Sequence, residues 1–173
     1  AQVRVVLSKS ALDFVTPLTL ATLSQERVYS DFTEDEDQGT WSNHVDLGLW
    51  ADLMLIAPAS ANTLAKLNQG ICDSFLLAVY LSAKCPVAIA PAMDLDMYAH
   101  ASTQDNLKAL VERGHLLIDS ESGFLASGLE GKGRMAEPAN IFASVEQFFR
   151  NKAPLLGKKC LVTAGPTYEH IDA

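Results

Sequence analysis

Short, continuously apolar runs recur along this chain, and most of them are closed by a turn-forming residue. Val3 to Leu7 (VRVVL) is rich in β-branched residues and gives way to Ser8-Lys9-Ser10. Leu53 to Ala57 (LMLIA) and Val87 to Ala90 (VAIA) each end at a proline, and Leu116 to Ile118 and Cys160 to Thr163 are weaker runs of the same kind. A strand that is apolar on both faces belongs to a parallel sheet covered by helices on each side. Helical patterns fill the intervals. Residues 62–81 place Leu64, Leu67, Ile71 and Phe75 at helical spacing, with a break expected at Gly70. Residues 102–113 begin with Ser102 and Asp105 in the arrangement of a capping box and stop at Gly114, while 140–149 form a further amphipathic stretch.

This alternation of strand and helix predicts an α/β protein with a three-layer, doubly wound parallel sheet of the Rossmann-like kind. Ligands in such sheets bind outside the carboxyl ends of the strands. That rule selects three loops: Ser8-Lys9-Ser10, Pro58 to Thr63 and Pro91 to Asp94. The expected organisation is one domain over 1–150, a linker over 151–158 (NKAPLLGK), and at 159–173 a strand-then-turn that opens another α/β unit. The chain begins directly on a strand, so the first βα unit of such a sheet is expected to be missing.

Composition narrows the chemistry. Of 173 residues, 49% are hydrophobic and 20% charged, which suits a globular domain able to bury its own core. No run approaches the ~18 apolar residues of a membrane-spanning helix. Thirteen basic against twenty-one acidic residues leave a formal charge of −8, a poor footprint for nucleic acid or anionic membrane. Three cysteines, Cys72, Cys85 and Cys160, show no close pairing, and no secretory leader precedes Ala1, so a reducing cytoplasmic setting is expected. A small-molecule substrate is therefore the leading class.

Four stretches carry candidate chemistry. PASANT (Pro58–Thr63) leaves a strand and enters a helix, where Ser60, Asn62 and Thr63 offer hydroxyl, amide and backbone N–H groups either to a polar ligand or simply to the helix start. His44 stands at a loop-to-helix junction and is a candidate acid/base, since an imidazole titrates near neutrality, although taken alone a histidine there is more often a surface or capping residue. Met93, Met97 and Tyr98 wall either a flat aromatic ligand or the core. Gly123 to Met135 holds four glycines in thirteen residues, and the expectation is a long flexible lid whose Lys132 and Arg134 suit a phosphate or carboxylate. Neither G-x-G-x-x-G nor G-x-x-x-x-G-K-S/T occurs, which argues against a dinucleotide-dependent dehydrogenase. No histidine pair has metal-ligand spacing, and no metal site is proposed.

Taken together, HVDLGLWAD, APASANT, APAMDLDMY and GLEGKGRMAEP resemble the homo-oligomeric flavin-containing cysteine decarboxylase family. The likeness is nearest to the decarboxylase half of its bifunctional coenzyme A biosynthesis members, whose ligase half the tail GKKCLVTAGPTYEHID resembles. The resemblance implies FMN-dependent decarboxylation of 4′-phosphopantothenoylcysteine to 4′-phosphopantetheine, in a parent protein whose ligase half uses CTP and Mg. It implies a homotrimer or higher multiple with flavin at subunit interfaces. By position it makes His44, Ser127 and Asp94 catalytic, and Ser8, Ser10, Ser60, Ala61, Asn62, Thr63, Ala92 and Met93 flavin-binding. Asp94, Ala126, Gly128, Lys132 and Arg134 become substrate-binding. Two positions depart from the family pattern: Asp94 stands where an asparagine is usual, and Ser127 where the lid carries a cysteine. The alternatives are decarboxylation of another cysteinyl substrate to an enethiol, and a catalytically silent flavin-binding subunit.

Overall fold

The computed structural model describes residues 1–35 and 40–152, together with Gly157 and Lys159. The expected strand at Cys160 to Thr163, and with it the start of a second α/β unit, lies outside the described residues, as does most of the expected linker. Two compact units are distinguished, Ala1–Glu137 and Pro138–Ala173.

In the first unit β1 (Val5–Val6) and β2 (Val28–Tyr29) pair in parallel around α1 (Pro17–Ser24), which Thr16 caps and Pro17 opens. The short antiparallel pair β3 (Thr33–Asp35) and β4 (Thr40–Trp41) leads into α2 (His44–Trp50). A second parallel sheet then forms from β5 (Met54–Ala59), β6 (Val87–Pro91) and β7 (Leu116–Leu117), in that order. Between β5 and β6 run α3 (Ala61–Gln69) and α4 (Phe75–Ser82); between β6 and β7 run α5 (Leu95–Ala99) and α6 (Ala101–Glu112). A β-hairpin, β8 (Glu121–Phe124) and β9 (Glu130–Arg134), completes the unit. The parallel α/β class read from the alternating pattern is the one observed.

Gly70 breaks the 62–81 pattern as expected: it sits in the left-handed region at φ +70 and closes α3, and Ser74 caps α4. The capping box expected at Ser102 is not used. His100 is the N-cap of α6, its Nδ1 accepting from the Ser102 N–H at 3.2 Å, so Ser102 lies inside the first turn. The reason is local: α5 ends at Ala99, and the extended His100 reaches the helix start before a serine two residues on can do so. In the second unit α7 (Pro138–Asn151) extends the expected 140–149 helix at both ends and carries a Glu146–Arg150 pair at 2.8 Å.

The main core joins Ile56, Ala59, Val87 and Ile89 of the sheet to Leu64, Leu67, Leu77, Leu107 and Leu110 of the helices. A second cluster packs Leu47 of α2 on Phe75 and Val79 of α4, with Val6, Tyr29, Phe32 and Met54 against it. Each fully buried leucine among these contributes about 1.5–3 kcal/mol. α2 and α4 approach closely because residue 48 is glycine: a Cβ there would stand 2.6 Å from the Ser82 carbonyl oxygen.

The expectation of burial on both faces holds for β6, whose five residues are all buried, but not for β5. Leu55 is 41% exposed, and Ala57 and Pro58 are exposed beside it. The cause is the sheet order. Among the described residues β5 pairs only with β6 and β1 only with β2, leaving each with an open edge. A cleft of about 110 Å³ is lined by Arg4 and Val6 at β1, by Leu53, Met54 and Leu55 at β5, and by Leu47, Trp50 and Val79. The Arg4 guanidinium lies 4.3 Å from the centre of the Trp50 ring.

Candidate functional site

Parallel pairing fixes where the strand-end loops meet. Ala59 and Pro91 are register partners at the carboxyl ends of β5 and β6, and the Ala92 N–H donates to the Ala59 carbonyl at 3.0 Å. PASANT and PAMD are therefore joined side by side. Ser60 then caps α3: its Oγ accepts from the Thr63 N–H at 3.3 Å and lies 3.1 Å from Thr63 Oγ1. The N–H groups of Ala61 and Asn62 belong to the first turn, which helical geometry cannot satisfy internally, and Asn62 itself is exposed. This is a polar rim beside small residues, with half-buried Met93 resting on the core below it.

Asp94 follows as the N-cap of α5, its Oδ1 accepting from the Leu95 N–H at 2.6 Å. One carboxylate oxygen is thereby committed to the helix start.

The glycine-rich stretch is not the flexible loop its composition suggested. It is the β8–β9 hairpin, and its glycines serve close approach. The Met93 N–H donates to the Gly133 carbonyl at 2.9 Å. Gly133 lies at φ +146 with the Met93 carbonyl oxygen in the space a Cβ would take, and at Gly131 a Cβ would stand 2.7 Å from Leu95 Cδ1. Glycine content reported the absence of side chains but not the neighbours that fill the space. The turn comprises Ala126, Ser127 and Gly128 between Leu125 and Leu129, which exchange a backbone hydrogen bond at 2.9 Å. Ser127 is exposed there, its Oγ 3.5 Å from the Leu129 N–H, and Gly128 adopts φ +84.

Lys132 and Arg134 have carboxylate partners in the fold itself. Lys132 Nζ is 2.5 Å from Asp119 Oδ2, and Arg134 Nη2 is 2.5 Å from Glu137 Oε1. Asp119 and Ser120 went unselected in the sequence, although they follow the carboxyl end of β7 and the strand-end rule would have found them. Asp119 Oδ1 accepts from the Tyr98 hydroxyl and from the Ser120 N–H, and Ser120 Oγ donates to the Pro91 carbonyl at 2.9 Å. Burial acts to raise the Asp119 pKa, but hydrogen bonds from Lys132 and Tyr98 and the Lys132 charge outweigh it and hold the carboxyl below 3.8. Burial first, then the Asp119 carboxylate, pushes Tyr98 up to about 12.

Two further candidate groups lie on other elements. Ser8 caps the short 3-10 turn Lys9–Asp13 after β1, with Ser10 inside that turn. His44 is the first residue of α2 behind its cap Asn43, its ring edge-on to Phe32 at 5.8 Å and to Phe75 at 6.5 Å. Its Nδ1 is buried without a hydrogen-bond partner among the described residues.

Exposed donors at the start of α3 beside the small residues Ala59 and Ala92 fit the polar edge of a flat ring. The class is defined by comparison with known families: residues 1–150 match the Flavoprotein family model, and the chain belongs to that family. Among curated relatives, the chain is 56% identical over 162 residues to a cysteine/cysteine sulfinic acid decarboxylase from an unknown prokaryotic organism, covering 91% of this chain and 45% of that protein. It is 44% identical over 174 residues to the coenzyme A biosynthesis bifunctional protein CoaBC of Bacillus subtilis (strain 168), covering 99% and 43%. The chain thus spans less than half the length of these relatives. Among solved structures, a cysteine-to-serine mutant of PPC decarboxylase complexed with pantothenoylaminoethenethiol superposes with a TM-score of 0.75 at 36% identity, covering 86% of this chain and 84% of that one. The FMN binding protein AtHal3 superposes with a TM-score of 0.73 at 38% identity, covering 88% and 84%.

Proposed function

We propose that this chain is the FMN-binding, decarboxylating part of a longer protein and that its substrate is 4′-phosphopantothenoylcysteine, converted to 4′-phosphopantetheine for coenzyme A synthesis. The observation that carries this reading is the joining of PASANT, PAMD and the glycine hairpin through Ala92–Ala59 and Met93–Gly133. It brings the polar helix start, the carboxylate of Asp94 and the Ser127 turn onto one connected scaffold. The relatives' CoaBC and PPC decarboxylase identities support the same substrate.

FMN, when bound, would supply a reversible two-electron store, taking a hydride from the cysteinyl side-chain carbon before carbon dioxide leaves and giving it back to the enethiol afterwards, so that the conversion to the saturated thiol is redox-neutral overall. The chain's own residues prepare that chemistry. Ser60, Ala61, Asn62 and Thr63 offer donors to the ring edge; Ala92 and Met93 leave room for its face; Ser8 and Ser10 hold the flavin from the end of β1. His44 moves a proton at the substrate thiol or carboxyl. Asp94 faces the substrate carboxylate with the oxygen that α5 does not use, and Ala126, Gly128, Lys132 and Arg134 frame the substrate from the hairpin. Ser127 stands at the proton donor's position, but a hydroxyl is a far weaker acid than a thiol with its ordinary pKa of about 8.5. Asp94 is then the better donor for the last proton.

Exposed Phe14, Leu18 and Leu23, at 90%, 77% and 76%, support assembly into a trimer or higher multiple with flavin at the interfaces. Light scattering of the flavin-loaded protein checks it, and a monomer overturns it. Residues 1–150 form the decarboxylase domain in this reading, 151–158 a linker and 159–173 the start of a CTP- and Mg-dependent ligase, all in the cytoplasm. Among the described residues no helix is long and apolar enough to cross a membrane.

A second reading is favoured by one finding, the 56% identity to a cysteine/cysteine sulfinic acid decarboxylase. In it the substrate is a free sulfur amino acid. Offering the flavin-loaded parent protein 4′-phosphopantothenoylcysteine, cysteine and cysteine sulfinic acid, with carbon dioxide release and product mass as readouts, separates the two. The first reading expects the phosphorylated thiol acid to show the highest kcat/KM; the reverse order replaces it with the second.

A further inference from the structure

We infer that Asp119 is a positioning residue: its carboxylate clamps the β8–β9 hairpin to α5 and so fixes where the Ala126–Ser127–Gly128 turn stands over the strand-end loops. Only the catalytic part of this inference rests on the proposed function.

The geometry is that of a hub. One oxygen of Asp119 accepts from the Tyr98 hydroxyl on α5 and from the Ser120 N–H; the other accepts from Lys132 Nζ on β9 at 2.5 Å. The Lys132 ammonium also lies 5.5 Å from the centre of the Tyr98 ring, so all three side chains touch one another. The hub is anchored from beneath, because Ser120 Oγ donates to the Pro91 carbonyl at the end of β6 in a buried hydrogen bond of 2.9 Å. Tyr98 is itself held, 8% exposed in the main core, with its carbonyl accepting from Gln104 Nε2 at 2.6 Å.

Apart from this hub the hairpin is tied to the site by the Met93–Gly133 backbone bond and by Leu95 against Gly131. Those contacts fix the middle of β9 but offer no charge. An exposed ion pair alone would contribute little. Here the carboxylate has a donor from each of two elements, one of them a buried tyrosine, and charge-assisted bonds of this kind are the stronger and more directional ones. A two-stranded hairpin is marginal without such support.

The test is amide hydrogen exchange on the intact, flavin-loaded protein. Asp119→Asn keeps the shape and removes the charge; Lys132→Met removes the opposite partner. Each is expected to speed exchange across 121–134 by roughly tenfold while leaving 87–91 unchanged, and the double variant to add little, because both act on one clamp. Lys132→Arg, which keeps charge and donor, is expected to restore wild-type exchange. Unchanged hairpin exchange in Asp119→Asn, or an equal rise in β6, overturns the inference. If either charge-removing variant fails to fold, Tyr98→Phe, which deletes only the hydroxyl, is measured in the same way: hairpin-confined acceleration supports the clamp and wild-type exchange overturns it. In turnover, Asp119→Asn is expected to lower kcat and raise KM together, because the loosened hairpin carries the Ser127 turn as well as the residues proposed to frame the substrate, and Lys132→Arg is expected to keep both near wild type. Should the wild type decarboxylate none of the thiol acids, the proposed function fails while the exchange result still decides the clamp.

Discussion

Ser127 carries the sharpest prediction at the scale of single residues. Its hydroxyl sits on an exposed turn where, among the described residues, the Leu129 N–H lies 3.5 Å away and no charged group is bonded to it. Ser127→Cys is expected to raise the ratio of saturated thiol to enethiol about tenfold or more, read by product mass, because a thiol delivers the proton that a hydroxyl withholds. Asp94→Asn in the wild-type background is expected to act in the opposite sense and leave enethiol. A second residue titrates for structural reasons. Burial, then the charge of Arg113, pushes His115 below its ordinary 6.5, and the Tyr80 hydroxyl lies 2.7 Å from its Nε2. Because the folded value is the lower one, the unfolded chain takes up the proton first. This residue's contribution is therefore present above pH 6.5 and is lost as pH falls through the folded value. Urea midpoints at pH 7 and pH 5.5 are expected to separate more for the wild type than for His115→Gln. An equal separation would show that the imidazole does not contribute.

Among the elements, the hairpin shows where composition misleads and where it informs. Four glycines in thirteen residues do exclude a helix, but they do not distinguish a loose lid from a strand pressed against backbone. That distinction depends on Met93 and Leu95, some forty residues earlier, and no local pattern contains them. Gly133→Ala is expected to cost about 1–3 kcal/mol in urea denaturation, since the new methyl meets the Met93 carbonyl and the backbone there is left-handed. Gly128→Ala lies in open space, so its cost comes from backbone conformation alone. A smaller loss for Gly133→Ala than for Gly128→Ala would mean that the close approach is not formed. Helix ends were more legible: Ser60, Ser74 and Gly70 act as their types suggest, because caps are decided within a few residues. His100 was missed because imidazole caps are uncommon and a serine stood two positions away.

For the whole molecule, the hydrophobic pattern was enough to specify the parallel α/β class, since that follows from chain order. It also placed PASANT and PAMD side by side in effect, because consecutive parallel strands are usually neighbours. What it did not supply was strand adjacency at the other side, where among the described residues β1 and β5 each keep an unpaired edge around the Arg4–Leu55 cleft. Unpaired N–H and C=O groups along a strand edge are the groups through which a sheet takes up a further strand. Pairing there would couple thermal stability to an added strand: a short β-forming peptide is expected to raise Tm with the logarithm of its concentration, and its removal to lower it. A melting temperature indifferent to both would mean the two halves are already sealed to each other. If they are not, the two ladders melt with an edge still open, and the melting curve reports the added strand.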